Sequence, residues 1–381
     1  MSQTSDNNRR IAKNTLLLNF RMLFIWWWCS TYTNQVSFIR FKLNIGTCKR
    51  AMLYIEYTFK RNNNNYMYTI IESLRKKISD ALTPLITHDY VLLDLPYYDN
   101  IGDTLIWEGT REFFKTLPYK CLYYASKDSF RYRDLSPDTV ILLSGGGNFG
   151  DLYRQHSEFR RIVIESYPRN KVIILPQTIF YEDKELISED ARFYVKYPNV
   201  TICAREKYSY DLLKAHFSNP CLLVPDMAFF INLERYKLGK ETDKVLYLKR
   251  IDKELSKDDG KTEIPNNAEV HDWPTYEYSF LKVKMIEKLF YKFCRLLTIL
   301  KFSDKSIARL NDWKRNYFYR RFYVQLGIDF LSPYSLIYTT RLHVMILGVL
   351  LNKKMHLINN TSGKVVNFYN TWLKEIKNIE V

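Results

Sequence analysis

The chain has 381 residues, 46% of them hydrophobic and 26% charged, the balance of a globular protein rather than a disordered one, and a length that exceeds one ordinary core, so two lobes with a cleft between them are expected. The formal net charge is +16, but ten basic residues face only two acidic ones up to Tyr68, which is half of the whole excess. What remains is mild and carries no basic patch interleaved with aromatics, so nucleic acid is not an expected partner; phosphorylated or lipid-diphosphate-linked substrates near a membrane fit it as well. The six cysteines are scattered without a CxxC pair or clustered histidines, which indicates neither a zinc site nor a disulfide framework and suits a reducing cytoplasm.

In chain order, the apolar segment Leu16 to Cys29 is interrupted by Asn19 and Arg21 and falls short of the roughly 20 residues that span a bilayer. An interfacial anchor built on Trp26, Trp27 and Trp28, an ordinary buried helix, and translated upstream sequence foreign to the domain all fit it. Residues 1–66 are set apart as a leader of the last kind, because the run Asn62 to Asn65 is followed at Met67 by a regular amphipathic helix ending near Pro84. A strand from Tyr90 to Leu95, a loop, and a helix from Leu105 to Lys115 come next. The same strand, loop and helix unit recurs from Thr139 and from Val172, and again from Val200 with its helix starting at Lys207; Leu222 to Phe230 closes this lobe, 67–235. Asn232 to Asp243 reads as a linker. A second lobe, 244–381, starts with the strand Lys244 to Arg250 and continues with a long helix from Tyr278 to Leu300. A strand, turn and helix from Ser335 to Asn352 and a further strand from Lys354 follow. Alternating apolar strands and helices predict an α/β protein, with two open parallel-sheet lobes facing a cleft.

Four segments carry candidate chemistry. The loop Asp99 to Asp103, with Asn100 and Gly102, follows the carboxyl end of a strand, where open α/β sheets place ligands; the alternative is a turn followed by an Asp cap of the next helix. Gly145, Gly146, Gly147 and Asn148 follow an apolar strand, and their backbone N–H groups could receive an anion or sugar hydroxyls; a Gly-rich turn serving only topology remains the alternative. The spacing is neither a Walker loop nor GxGxxG. Arg205 ends a strand and could fork onto phosphate or carboxylate, the alternative being a surface pair with Glu206. Thr339 to His343 joins a strand to a very apolar helix, which puts Arg341 and His343 at a helix N-terminus suited to an anion and to acid–base work, the alternative being a structural histidine.

Together and in order, DNIGD from Asp99, ILLSGGGNFGD from Ile141, ILPQTI from Ile174, AREKYSYDLL from Ala204, VPDMAF from Val224, LKRIDKE from Leu248 and TTRLHVMILGVLL from Thr339 resemble the polysaccharide pyruvyl transferase family. The resemblance covers about residues 86–375, with only DWPTY from Asp272 recognisable between Glu254 and Ile299. It implies a glycosyltransferase-B-like fold, and phosphoenolpyruvate as donor for a ketal on a sugar of a surface polysaccharide or its lipid-linked precursor. The family's donor-site residues carry over to Arg205, Arg341 and His343, with Arg250 at a recurrent basic position. The resemblance implies His343 as proton donor, Asp103 and Asp226 as acceptor ligands or bases, and no metal or cofactor beyond the donor. It also implies a cytoplasmic enzyme working at the inner face of the membrane. The rival readings are a glycosyltransferase of similar architecture using a nucleotide sugar, and a non-catalytic polysaccharide-assembly protein.

Overall fold

The computed structural model describes residues 66–97, 99–250, 264–277, 281–358 and 363–381. The readings of residues 1–65, including the apolar segment Leu16 to Cys29, lie outside them, as does LKRIDKE beyond Arg250.

Residues 66–82 form α1, whose buried positions Met67, Ile71, Leu74, Ile78 and Leu82 recur at helical spacing and seat one face on the core. Pro84 ends it in a short 3₁₀ turn, Thr83–Leu85. Strands β1 (Tyr90–Leu93), β2 (Cys121–Ala125), β3 (Val140–Leu143), β4 (Gly146–Gly150), β5 (Val172–Phe180), β6 (Val200–Ala204) and β7 (Cys221–Leu223) make one parallel sheet in the order β2-β1-β3-β5-β6-β7, with β4 also paired to β5. Helices α2 (Ile101–Phe114), α3 (Arg154–Ser166), α4 (Lys184–Tyr194) and α5 (Lys207–His216) alternate with them. β1, β3 and β6 are buried along their whole length, as strands covered on both faces must be, and this is why β1 and β3 read as unbroken apolar runs and β6 as one broken only by Thr201.

Two local expectations are corrected. β1 stops at Leu93 rather than Leu95, because Asp94 takes a left-handed backbone at φ 60° that ends the pleat. α2 begins at Ile101 rather than Leu105, and its cap is Asn100, not an aspartate: Asn100 Oδ1 accepts from the Gly102 N–H at 2.9 Å.

The second sheet is also parallel, β12-β11-β10-β8-β9, from β8 (Lys244–Leu248), β9 (Ala268–His271), β10 (Tyr334–Thr339), β11 (Lys354–Leu357) and β12 (Ile379–Glu380). A helical block missed by the sequence reading, apart from its first helix, separates β9 from β10: α6 (Leu281–Ile299), α7 (Asp304–Lys314), a widened π turn over Arg315–Tyr319, and α8 (Arg320–Leu331). α9 (Leu342–Leu350) follows β10, and α10 (Lys364–Trp372) follows β11. α9 buries Leu342 and every residue from Val344 to Leu350, so hydrophobic burial of about 1.5–3 kcal/mol per large side chain fixes the turn before it. α10 reaches back to the first sheet, where Trp372 Nε1 donates to the Arg205 carbonyl at 2.7 Å. The segment after Asn232 is packed rather than loose: Tyr236 Oη donates to Glu108 at 2.7 Å and Thr242 Oγ1 to the Pro333 carbonyl at 2.7 Å.

Candidate active site

The carboxyl ends of both sheets border one cavity of about 310 Å³. From the first sheet it is lined by Asn100, Gly102 and Asp103 of the α2 start, by Gly147 and Asn148 of β4, and by Arg205 after β6. Arg250, Trp273, Tyr276, Arg341 and His343 line it from the second, with Lys364 at the start of α10. Four guanidinium or ammonium groups border this space, and two of them, Arg205 and Arg341, are each paired with a buried aspartate.

His343 sits in the first turn of α9, directly after Arg341, the helix N-cap, and Leu342. Its ring lies against α2 so closely that a Cβ on Gly102 would stand 2.6 Å from Nδ1. On its other side Nε2 is 3.4 Å from Asp226 Oδ2 and 3.5 Å from Arg205 Nη1. Carrying a proton, Nε2 faces the carboxylate; without one it can accept from Arg205. Burial by itself would raise Asp226, but the hydrogen bond and charge of His343, the charge of Arg205 and the Ala228 N–H hold it well below the usual carboxylate range. Asp226 stands behind the cavity wall, so it supports His343 and Arg205 rather than facing a ligand.

Arg205 is not part of a surface pair. It is buried, donates from Nη1 to Asp226 at 2.8 Å and from Nε to Thr178 at 2.8 Å, and leaves Glu206 at 3.8 Å. Glu206 is buried as well, taking a hydrogen bond from Thr178 Oγ1 at 3.0 Å and another from Ser209. Burial lifts its carboxyl above the ordinary value. Arg341 forks onto Asp272, from Nε to Oδ1 and from Nη2 to Oδ2, both at 2.6 Å, and lies 5.0 Å over the Tyr276 ring. Asp272 and Tyr276 belong to the DWPTY stretch, whose role the sequence left open. Arg250 is buried at the cavity wall after β8.

Asp103 is in the first turn of α2, not at a strand end, and accepts from Asn100 Nδ2 at 2.8 Å. Burial raises its carboxyl above the ordinary value, although His343, Arg205 and Lys364 pull it the other way. A carboxylate kept basic beside a cationic cavity is suited to take a proton from a hydroxyl.

The glycine stretch is a strand, not a turn opening a helix. Gly147 and Asn148 reach the cavity, whereas Gly145 and Gly146 serve the sheet: a Cβ on Gly145 would meet the Pro176 carbonyl at 2.7 Å. β3 and β4 thereby share one edge of β5 on either side of this close approach. Asn148 is fixed by Arg160, which donates to its carbonyl at 3.1 Å and to its side-chain oxygen.

The sequence reading missed a second histidine. His156, in the first turn of α3, lines the cavity with Nδ1 2.7 Å from Asp94 Oδ1, and Arg160 Nη2 donates to the other Asp94 oxygen at 3.0 Å. The left-handed backbone of Asp94 is what aims its carboxylate at that ring. An imidazole oriented through Nδ1 by a buried carboxylate is the arrangement used to accept a proton at the other nitrogen. Lys364 was missed too; only its place at the start of α10 brings it to the cavity.

The sequence profile of the polysaccharide pyruvyl transferase family matches residues 100–362, which takes in all of the first sheet but β1, all of the second but β12, and every residue of the cavity except Lys364. The chain belongs to the polysaccharide pyruvyl transferase family. Its relatives in that family include EpsO of Bacillus subtilis (strain 168), whose name carries pyruvyl transferase as a provisional assignment; it is 32% identical over 308 residues, covering 80% of this chain and 92% of EpsO. Pyruvyl transferase 1 of Schizosaccharomyces pombe is 27% identical over 304 residues, 74% of this chain and 69% of that protein. Another relative, general stress protein 30 of Bacillus subtilis (strain 168), is 27% identical over 82% of this chain. A crystal structure of a functionally uncharacterised Klebsiella pneumoniae protein superposes with a TM-score of 0.54 at 22% identity, covering 80% of this chain and 97% of that one. That likeness supports the glycosyltransferase-B-like arrangement of two parallel-sheet lobes. As a family member the chain is a transferase, and among its described residues no helix is long and apolar enough to cross a membrane.

Proposed function

We propose that this transferase moves the enolpyruvyl unit of phosphoenolpyruvate onto a sugar and leaves a pyruvate ketal. The observation that carries the reading is the convergence of Arg205, Arg250, Arg341 and Lys364 around His343 in one cavity. Phosphoenolpyruvate presents a phosphate and a carboxylate on three carbons, and a cavity lined by arginines from both sheets together with His343 suits it. His343 protonates the methylene carbon, which makes C2 oxocarbenium-like. A first sugar hydroxyl bonds to C2 and gives its proton to Asp103 or to His156, the latter oriented by Asp94. A second hydroxyl of the same sugar then bonds to C2 as the C2–O bond to phosphate breaks, and its proton leaves with the phosphate or on the base. Arg205 and Arg341 neutralise the departing charge, a task electrostatic preorganisation performs without a metal.

The acceptor side is the Asn100, Gly147 and Asn148 wall, and the acceptor we infer is a sugar of an exopolysaccharide or capsule, or its lipid-linked precursor, reached from the cytoplasmic face of the membrane. Thermal denaturation with candidate donors tests the reading, since a ligand that binds the native state raises the Tm by mass action, about 2.7 kcal/mol at one hundred times its Kd. Phosphoenolpyruvate is expected to raise the Tm and UDP-sugars to leave it unchanged. A rise with UDP-sugars and none with phosphoenolpyruvate overturns the proposal.

A further inference from the structure

Helix α6 carries an unusual outer face. Met285, Leu289, Leu296 and Ile299 are 48%, 51%, 47% and 70% exposed. At 100° per residue they fall within about 40° of one line along the helix, with Lys292 among them. Lys284, Lys288 and Arg295, all exposed, flank one side of this ridge. The helix has one carboxylate, Glu287, and it is turned inward, where Lys314 Nζ bonds both its oxygens at 2.8 and 2.7 Å. The opposite face, Ile286, Phe290 and Leu297, is buried against the body of the protein. α6 therefore pairs an apolar ridge about 21 Å long with a row of cations on the same outer side that no carboxylate among the described residues meets.

We propose that α6 is a peripheral docking surface for an anionic lipid bilayer. A helix lying in the interface plane buries such a ridge at the boundary of headgroups and acyl chains, while lysines beside it reach the phosphates through their flexible stems. A protein partner fits less well, since lysine is depleted from interface cores and Lys292 lies within the ridge. A two-fold contact with a second copy would set the two cationic rows against each other. Docking also has a place in the molecule. Lys314, under α6, is followed by Arg315, which pairs with Asp99, the residue before Asn100 of the cavity wall. α6 on a leaflet would hold the cavity near a lipid-carried sugar; that consequence rests on the proposed function, whereas the docking itself does not.

Flotation of the full chain with vesicles, in the absence of any substrate, tests it. With phosphatidylcholine and phosphatidylglycerol in equal parts the protein is expected to float at low salt, and with phosphatidylcholine alone to bind at least about tenfold more weakly. Leu289→Glu with Leu296→Glu is expected to lower partitioning by about tenfold or more. Lys288→Gln, Lys292→Gln and Arg295→Gln together, exposed substitutions that leave the fold intact, should lower it on the order of 100-fold, about fivefold for each cation near an anionic surface. Three results overturn the proposal. The wild-type protein does not float; both variants float as well as wild type, which places binding elsewhere in the chain; or sedimentation without vesicles shows that the variants abolish a self-association of the ridge.

Discussion

Between His343 and Asp226 the division of labour is set by position. His343 faces the cavity and can change protonation, while Asp226 stays ionised behind it because Arg205, His343 and the Ala228 N–H surround its carboxylate. If His343 delivers the proton to carbon, His343→Asn keeps a hydrogen-bonding side chain but cannot titrate. Its kcat is then expected to fall by a factor on the order of 10²–10⁴ with donor affinity nearly unchanged, read from steady-state kinetics and donor titration. Retention of most of the turnover would reduce His343 to a phosphate ligand. Asp226 makes a separate, thermodynamic prediction. Its folded value lies below the unfolded one of about 3.9, so its ionised form stabilises the fold above that pH, and the contribution is lost as pH falls toward the folded value. The Tm gap between wild type and Asp226→Asn should be at full size near neutrality and narrow below about pH 4. Removing one partner of a buried pair such as Arg205–Asp226 costs about 3–5 kcal/mol, which sets the scale of that gap.

Helix α2 joins the two halves of the site, and two of its glycines do so in different ways. A Cβ on Gly109 would lie 1.9 Å from the Met227 carbonyl, in the turn that follows Asp226, and backbone cannot yield cheaply. A Cβ on Gly102 would meet first the His343 side chain, with Nδ1 at 2.6 Å. Gly109→Ala is therefore expected to lose about 1–3 kcal/mol or more in a urea melt, whereas Gly102→Ala should keep its stability and lose turnover because His343 is displaced. The two readouts exchanged would refute this assignment of roles. What sequence could reveal at this scale followed from locality. β1, β3, β5 and β6 are buried apolar runs that announce themselves, and Arg205, Arg341 and His343 sit immediately after strands, where a strand-to-helix pattern places them. Partners made by closure of the chain were not legible. Arg341 forks onto Asp272 across 69 residues and His156 meets Asp94 across 62, and nothing in either neighbourhood marks the other. The glycine stretch was legible in part: three glycines signal close approach, and the group that approaches Gly145 is the Pro176 carbonyl of β5, whereas Gly147 lines the cavity. α7 and α8 escaped because they pack on distant parts of the chain rather than on a sheet of their own: α8 lies so close to α2 that a Cβ on Gly327 would meet Ile101 at 2.8 Å, and Asp312 of α7 accepts from Ser126 Oγ at 2.8 Å.

For the whole molecule, the cavity exists only because two parallel sheets present their carboxyl ends to each other, one bringing Arg205 and Asp103, the other Arg250, Arg341 and His343. Trp372 on the Arg205 carbonyl and Lys207 on Thr371 at 3.1 Å tie α10, and with it Lys364, across that junction. Under the proposed function, a donor held by arginines from both sides at once would be in position for attack at carbon, with its phosphate and its carboxylate anchored separately. The most direct test is the fate of the bridging oxygen of phosphoenolpyruvate. With isotopically heavy oxygen at that position, the protein and a sugar acceptor are incubated together, and the released phosphate and the sugar product are weighed by mass spectrometry. Ketal formation breaks the C2–O bond, so the label is expected in the phosphate, with one unlabelled pyruvate unit gained by the sugar for each phosphate released. Label left on free pyruvate with a phosphorylated sugar, the outcome of breaking the P–O bond instead, would contradict pyruvyl transfer at this site.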